Sequence, residues 1–280
     1  MEIFANHAHI FSKSSKIENF SFKGGTVGDL RKTMDECGIN KCVCFAEFFE
    51  WGWVDYDANE YLYSEIKNKN EFVGFGVINF AKKYFKEQVQ KITDLGFKGI
   101  KIHPQFQQIR VDSFEAYQVC EQAEKAGLFL SFHTGIHGSR ISDSRLLMFD
   151  EISYRFPGLS YSLEHVGGHA FFNEALAVIA NRKWLRGEGR AYAGLTSVFD
   201  NDLNRLWYLD ENKIKDLLHL AGEDLCIFGL DFPWNGVDKI KNALDSIKQM
   251  DVGEEAKRKI LGGNLEQALN VATRSENNFG

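Results

Sequence analysis

Only three prolines punctuate the 280 residues of this chain. No Pro-, Gly- or Ser-rich linker breaks it, and no composition change marks a boundary, so the reading is one domain over 1–280. The five cysteines are an odd number, and none forms a C-x-x-C pair. That argues against a disulfide framework and favours a reducing, cytoplasmic setting. No basic n-region precedes a long apolar stretch, so no secretory signal is expected. No apolar run approaches ~18 residues, so no membrane span is expected either. Basic runs are missing too. With a net charge of −6, a broad electrostatic grip on nucleic acid is excluded. No G-x-G-x-x-G follows the first apolar run, and there is no phosphate loop, which removes the main support for a dinucleotide-binding open sheet.

What the chain does have is a repeating alternation. Hydrophobic residues make up 44% and charged residues 26%, ordinary for a globular protein. Eight short, nearly continuous apolar runs recur at 2–7, 40–46, 71–77, 97–102, 128–133, 159–165, 190–195 and 224–230. Parallel strands covered on both faces read this way. Between them lie amphipathic segments that stop near glycine. Thr26 with Asp29 forms a capping box closed by Gly38, and helical spacing extends over 84–95, 113–126, 142–156, 171–182, 212–221 and 236–250. The seventh strand is interrupted on its N-terminal side by Gly187 and Gly189. Residues 254–272 add a C-terminal helix. Eight βα units predict a single-domain (β/α)8 barrel, a TIM barrel, whose active site gathers at the C-terminal strand ends.

Ligand-type residues sit at those ends. His7 and His9 close the first run, at i and i+2, where strand side chains share a face. His133 closes the fifth and Asp231 the eighth, and a further histidine, His165, closes the sixth. Each alone has a bland explanation, a structural histidine or a helix-capping aspartate. Together, in one register, they predict a site for a divalent cation. Three imidazoles and a carboxylate suit one Zn²⁺ per chain and tolerate Mn²⁺, Fe²⁺ or Co²⁺.

The motifs resemble the amidohydrolase superfamily, and within it the amidohydrolase-related family of metal-dependent hydrolases and decarboxylases. The matching pieces are His7-x-His9, Gly99-Ile100-Lys101-Ile102-His103-Pro104, His133-Thr134-Gly135, Glu164-His165-x-Gly167-Gly168, Gly229-x-Asp231-x-Pro233 and Leu261-Gly262-Gly263-Asn264-Leu265. The resemblance implies metal ligands at His7, His9, His133 and Asp231. It implies that Asp231 also accepts a proton from water, and that His165 is catalytic or supports the ligands. Some superfamily members bridge two metals with a lysine at the position of Lys101, although one metal is the expectation here.

Around that set, His103, Lys101 and Arg140 are candidates to hold substrate, as are Arg190 and the aromatic residues Trp51 and Trp234. The aromatic segment at 48–53 would wall the pocket or a homo-oligomer interface. The expected function is hydrolysis of a small amide, lactone or ester-type carbonyl. The alternatives are non-oxidative decarboxylation of an unsaturated or aromatic acid, and a catalytically inactive ligand-binding barrel.

Overall fold

Eight parallel strands close on themselves in the order of the sequence, with the first paired to the last. They are β1 (Phe4–His9), β2 (Lys41–Phe45), β3 (Phe72–Val77), β4 (Gly99–Ile102), β5 (Phe129–His133), β6 (Tyr161–Glu164), β7 (Ala191–Thr196) and β8 (Cys226–Phe232). The structure is a computed structural model that describes residues 1–12, 24–49, 56–201 and 205–271. Each strand is followed by a helix: α1 (Val27–Cys37), α2 (Ala58–Ile66), α3 (Phe85–Asp94), α4 (Phe114–Lys125), α5 (Met148–Arg155), α6 (Gly168–Arg182), α7 (Glu211–Leu220) and, after β8, α8 (Val237–Lys248). After β8, α9 (Glu254–Arg258) and α10 (Asn264–Val271) supply the expected C-terminal helix, joined by a π turn. The chain is a TIM barrel with helices between the strands. No helix among the described residues is long and apolar enough to cross a membrane.

Local chemistry accounts for the helix ends. The Thr26 hydroxyl accepts from the Asp29 N–H while the Asp29 carboxylate accepts from the Thr26 N–H, a reciprocal cap on α1. Gly38 ends α1 in the left-handed region at φ 69°. One helix has no counterpart in the sequence expectations. In α2, Asp57 caps the N–H groups of Asn59 and Glu60, and Ala58, Leu62 and Ile66 turn inward. Its apolar stripe is too short to stand out as a period.

Inside the barrel, aromatic rings fill the space below the mouth. Phe45 meets Phe75 at 5.7 Å, Phe75 meets Phe129 at 5.9 Å, and Phe129 meets Tyr192 at 5.8 Å. This layer draws on β2, β3, β5 and β7, and it is the floor on which the polar mouth rests. Two glycines make room at the mouth itself. A Cβ on Gly194 would lie 2.6 Å from Glu164 Oε2, and one on Gly229 would lie 2.1 Å from Thr196 Oγ1. Neither space can take even a methyl group without moving a buried polar side chain.

Gly194→Ala should therefore lower stability by about 1–3 kcal/mol, the usual range for overpacking. Gly28→Ala, on α1 where the nearest atom is 3.6 Å away, should stabilise by about 0.5–1 kcal/mol. Urea unfolding of both variants checks this. Equal effects of the two substitutions would contradict the packing argument.

Candidate metal centre at the barrel mouth

The mouth is built around one buried carboxylate. Glu164 ends β6, has no exposed surface, and accepts from five side chains. Its Oε1 takes Asn6 Nδ2 at 2.9 Å, Ser131 Oγ at 3.2 Å and Ser162 Oγ at 2.5 Å. Its Oε2 takes His7 Nδ1 and Thr196 Oγ1, each at 2.8 Å. An ionised carboxylate only accepts, so His7 must carry its proton on Nδ1. Its Nε2 lone pair then faces the mouth. A carboxylate holding the far nitrogen of an imidazole is the usual support of a metal-ligating histidine.

Thr134 holds the same corner from the other side. Its hydroxyl donates to the Glu164 carbonyl and accepts from the Gly167 N–H. This gives the His133-Thr134-Gly135 motif a mechanical reason.

Five of the seven non-glycine residues with positive φ among the described residues lie here. They are His7 at 70°, His165 at 64°, Val166 at 49°, Ser197 at 59° and Asp231 at 58°. All sit on or just beyond the ends of β1, β6, β7 and β8. Backbone held in the left-handed region costs side-chain-bearing residues free energy, and it persists where function demands a particular direction. In β1 the pairing register shifts between Ala5 and Ala8. Successive residues Asn6 and His7 thereby both reach Glu164. His7 and His9 do meet, with Nε2 atoms 3.2 Å apart. They meet across a bulge, not through the plain strand alternation expected from the sequence.

His165 Nδ1 lies 2.8 Å from the Thr196 carbonyl. A carbonyl also only accepts, so this ring too is protonated on Nδ1 and leaves an Nε2 lone pair. Burial lowers its pKa to about 3, with the nearby Lys101 charge adding to the effect. A neutral His165 has no second N–H, so a lone-pair role suits it better than donation to an oxyanion. Asp231 is fixed by the Ser197 hydroxyl at 2.7 Å, and Asn235 in turn donates to Ser197. Its other oxygen lies 3.4 Å from His7 Nε2. Burial raises the Asp231 pKa above the ordinary carboxylate value, against the Ser197 hydrogen bond.

Ligand atoms of His7, His165 and Asp231 all fall within 4.8 Å of one another, and so, separately, do those of His103, His133 and His137. The four residues expected as ligands are therefore distributed over two adjoining groups. His7 and Asp231 stand in the first, with His9 against His7. His133 stands in the second, its ring 4.7 Å from that of His165. The Nε2 of His133 and the Nδ1 of His9 are buried without a protein partner. Burial, its largest cause, pushes the pKa of His7, His9, His103 and His133 well down. All four are neutral near pH 7, the state in which imidazole ligates.

The remaining candidates separate clearly. Lys101 is fully buried at the mouth, its Nζ 5.0 Å above the Phe45 ring and without a hydrogen-bond partner. Burial lowers its pKa to about 8, opposed by the charges of Glu164 and Asp231. His103 stacks on His133 at 3.8 Å. Trp234 stacks on His9 at 5.7 Å and on Phe11 at 5.4 Å. Arg140 does not join them. Its side chain is 65% exposed and pairs with Asp143. It lines an outer cavity of about 630 Å³ with Phe80, Arg110 and Phe106, and Phe106 is also the ring that packs on His103 and His137. Arg190 precedes β7, at the end of the barrel away from the mouth, because strand 7 runs from there toward Thr196. Trp51 lies outside the described residues; its neighbour Phe48 is buried 6.0 Å from His9 and 5.9 Å from His103.

Three residues were not anticipated as functional. Glu164 appeared only inside a motif. His137 follows β5 in a loop with no periodic signal, although its spacing of four from His133 was a usable cue. Trp207 stacks on His165 at 4.5 Å and donates to the Ile136 carbonyl. It arrives from the β7–α7 connection, where nothing local marks it.

A family model described as amidohydrolase matches residues 49–270. None of the curated proteins matches the sequence significantly. Among solved structures, a TIM-barrel protein of Bordetella bronchiseptica is 19% identical, with a TM-score of 0.76 over 98% of this chain and 100% of that one. A dihydroxybenzoic acid decarboxylase of a Polaromonas species, with manganese and 2-nitroresorcinol bound, is 16% identical, with a TM-score of 0.70 over 100% and 99%. A probable 2-pyrone-4,6-dicarboxylic acid hydrolase of Acinetobacter baumannii, with citric acid bound, is 14% identical, with a TM-score of 0.66 over 96% and 100%.

Two results are expected. Glu164→Gln, which can present an N–H to His7 instead of a second acceptor, should weaken cation affinity about 10–100-fold, read by competition with a chromogenic chelator. Unchanged affinity would separate Glu164 from the ligands. In metal-stripped protein, the buried neutral histidines bind protons only on unfolding, so stability is full above pH 6.5 and falls as pH drops toward 3. Each such histidine adds ~1.4 kcal/mol per pH unit to the slope. Urea midpoints that stay level from pH 7 to pH 5 would refute this.

Proposed function

The chain belongs to the amidohydrolase family, and from that premise we propose that it is a metal-dependent hydrolase of a small carbonyl compound. The observation that carries the proposal is the convergence of His7, His165 and Asp231 within 4.8 Å, with His9 beside His7. Two nitrogen lone pairs and a carboxylate oxygen, turned to one point by hydrogen bonds behind them, fit a borderline divalent cation such as Zn²⁺, Mn²⁺ or Fe²⁺. His133 borders the same point and is the further ligand candidate. A cation bound there acidifies water and polarises a carbonyl.

The side chains have distinct tasks in this reading. Asp231 accepts the proton of the attacking water. Its burial makes it a stronger base than an exposed aspartate, while the Ser197 hydroxyl keeps one oxygen fixed and the other toward the mouth. Glu164 holds His7 in one tautomer and one orientation. Trp207, between β7 and α7, covers His165 and Trp234, just past β8, covers His9, so they shield the mouth from bulk water.

A second reading is non-oxidative decarboxylation. It is favoured by the flat aromatic walls, which suit a planar unsaturated acid. Decarboxylases are also among the structures of like fold.

Asp231→Asn should leave a folded protein whose turnover falls by about 10²–10⁴-fold, the range for loss of a general base. Turnover of a panel of lactones, esters and unsaturated or aromatic carboxylic acids in ¹⁸O-water, read by mass spectrometry, tests both readings. Label in the product carboxylate supports hydrolysis. Unlabelled product with release of CO₂ would replace it with decarboxylation.

A further inference from the structure

The mouth contains buried donors that no group among the described residues accepts from. Lys101 Nζ is one, on β4. His103 Nε2 is another, two residues further along the same strand direction. Its tautomer is set from behind. The backbone N–H of Phe106 donates to His103 Nδ1 at 3.4 Å, and an N–H can only donate. The ring proton is therefore on Nε2, which points away from that bond. Lys101 is 0% exposed and His103 is 3% exposed.

Two unsatisfied donors at this depth, one of them an ammonium, carry a large desolvation cost. Lys101 also stands close enough to His7, His9, His133 and His165 to depress the pKa of all four. If a cation occupies the imidazoles, an ammonium beside it is repelled. An anion lying between the two relieves both problems at once. Glu164 cannot serve, because its oxygens are already taken by five donors. Asp231 accepts from Ser197 with one oxygen and turns the other toward the His7 lone pair, and neither carboxylate hydrogen-bonds to Lys101 Nζ. Among the described residues no acceptor is left for either donor, and a bound anion would supply one.

We propose that Lys101 and His103 form a subsite for a carboxylate group of the substrate. The substrate is then an anionic carbonyl compound, its carboxylate seated on β4 and its reacting carbon turned toward Asp231. This rests on the proposed hydrolase reading for the reaction, but the subsite itself needs only an anion. A planar carboxylate suits the place better than a tetrahedral oxyanion. The floor beneath Lys101 is the Phe45 ring, and His103 lies flat against His133 at an interplanar angle of 9°.

The test is isothermal titration of the protein, as purified with its metal, by acetate, crotonate and benzoate and by the three corresponding amides. Acids should bind at least about tenfold more tightly than their amides. Lys101→Met should abolish that preference, Lys101→Arg should retain part of it, and His103→Phe should weaken it, all with metal content per chain unchanged. Preserved metal content separates this result from failure of the metal reading. Equal binding of acid and amide by the unaltered protein would overturn the proposal. So would a preference that survives Lys101→Met, which would place the carboxylate on the cation alone. A carbamate signal on Lys101 in ¹³C-bicarbonate, seen by NMR, would overturn it as well, because the lysine would then itself be the anion.

Discussion

The hydrogen bond between Glu164 and His7 is the contact on which the mouth is organised. It joins β6 to β1 across the barrel interior, and it decides which nitrogen of His7 is free. Around it, Asn6, Ser131, Ser162 and Thr196 each give a proton to the same carboxylate. These come from β1, β5, β6 and β7, so half of the barrel is tied to one anion. A buried carboxylate is tolerable only when its lone pairs are filled, and here they are. The cost of desolvation is thereby turned into orientation. Gly194 and Gly229 complete the arrangement by leaving space where any side chain would displace the carboxylate or its Thr196 donor.

Much of the fold was legible in the sequence because the barrel repeats one physical rule. Strands covered on both faces must be apolar throughout, and the eight apolar runs coincide with β1 to β8 within two residues at each bound. Even the seventh, preceded by Gly187 and Gly189, is a strand from Ala191. What escaped was α2, a nine-residue helix whose stability comes from its Asp57 cap and from packing on β3 more than from a long amphipathic pattern.

The site was legible to the extent that strand ends converge. His7, His9, His165 and Asp231 meet for that reason. Arg190 was misplaced because proximity to a strand in sequence does not say which end of it faces the mouth. Arg140 was misplaced because the β5–α5 connection carries it outward to Asp143. The parity argument for His7 and His9 reached a sound pairing by an incomplete route, since β1 is bulged there. Glu164 could not be ranked above other acidic residues without knowing that four strands point donors at it. Trp207 and His137 enter from loops, whose paths depend on packing that no short-range pattern encodes.

The pairing of β1 with β8 has a consequence for the time course of biosynthesis. Of the eight strands, β1 with His7 is made first and β8 with Asp231 last. The strand that carries one is flanked by β2 on one side and, on the other, by the strand that carries the other residue. The set of His7, His165 and Asp231 is therefore incomplete until β8 joins β1. That set of donors comes together in one step, when the ring of strands shuts.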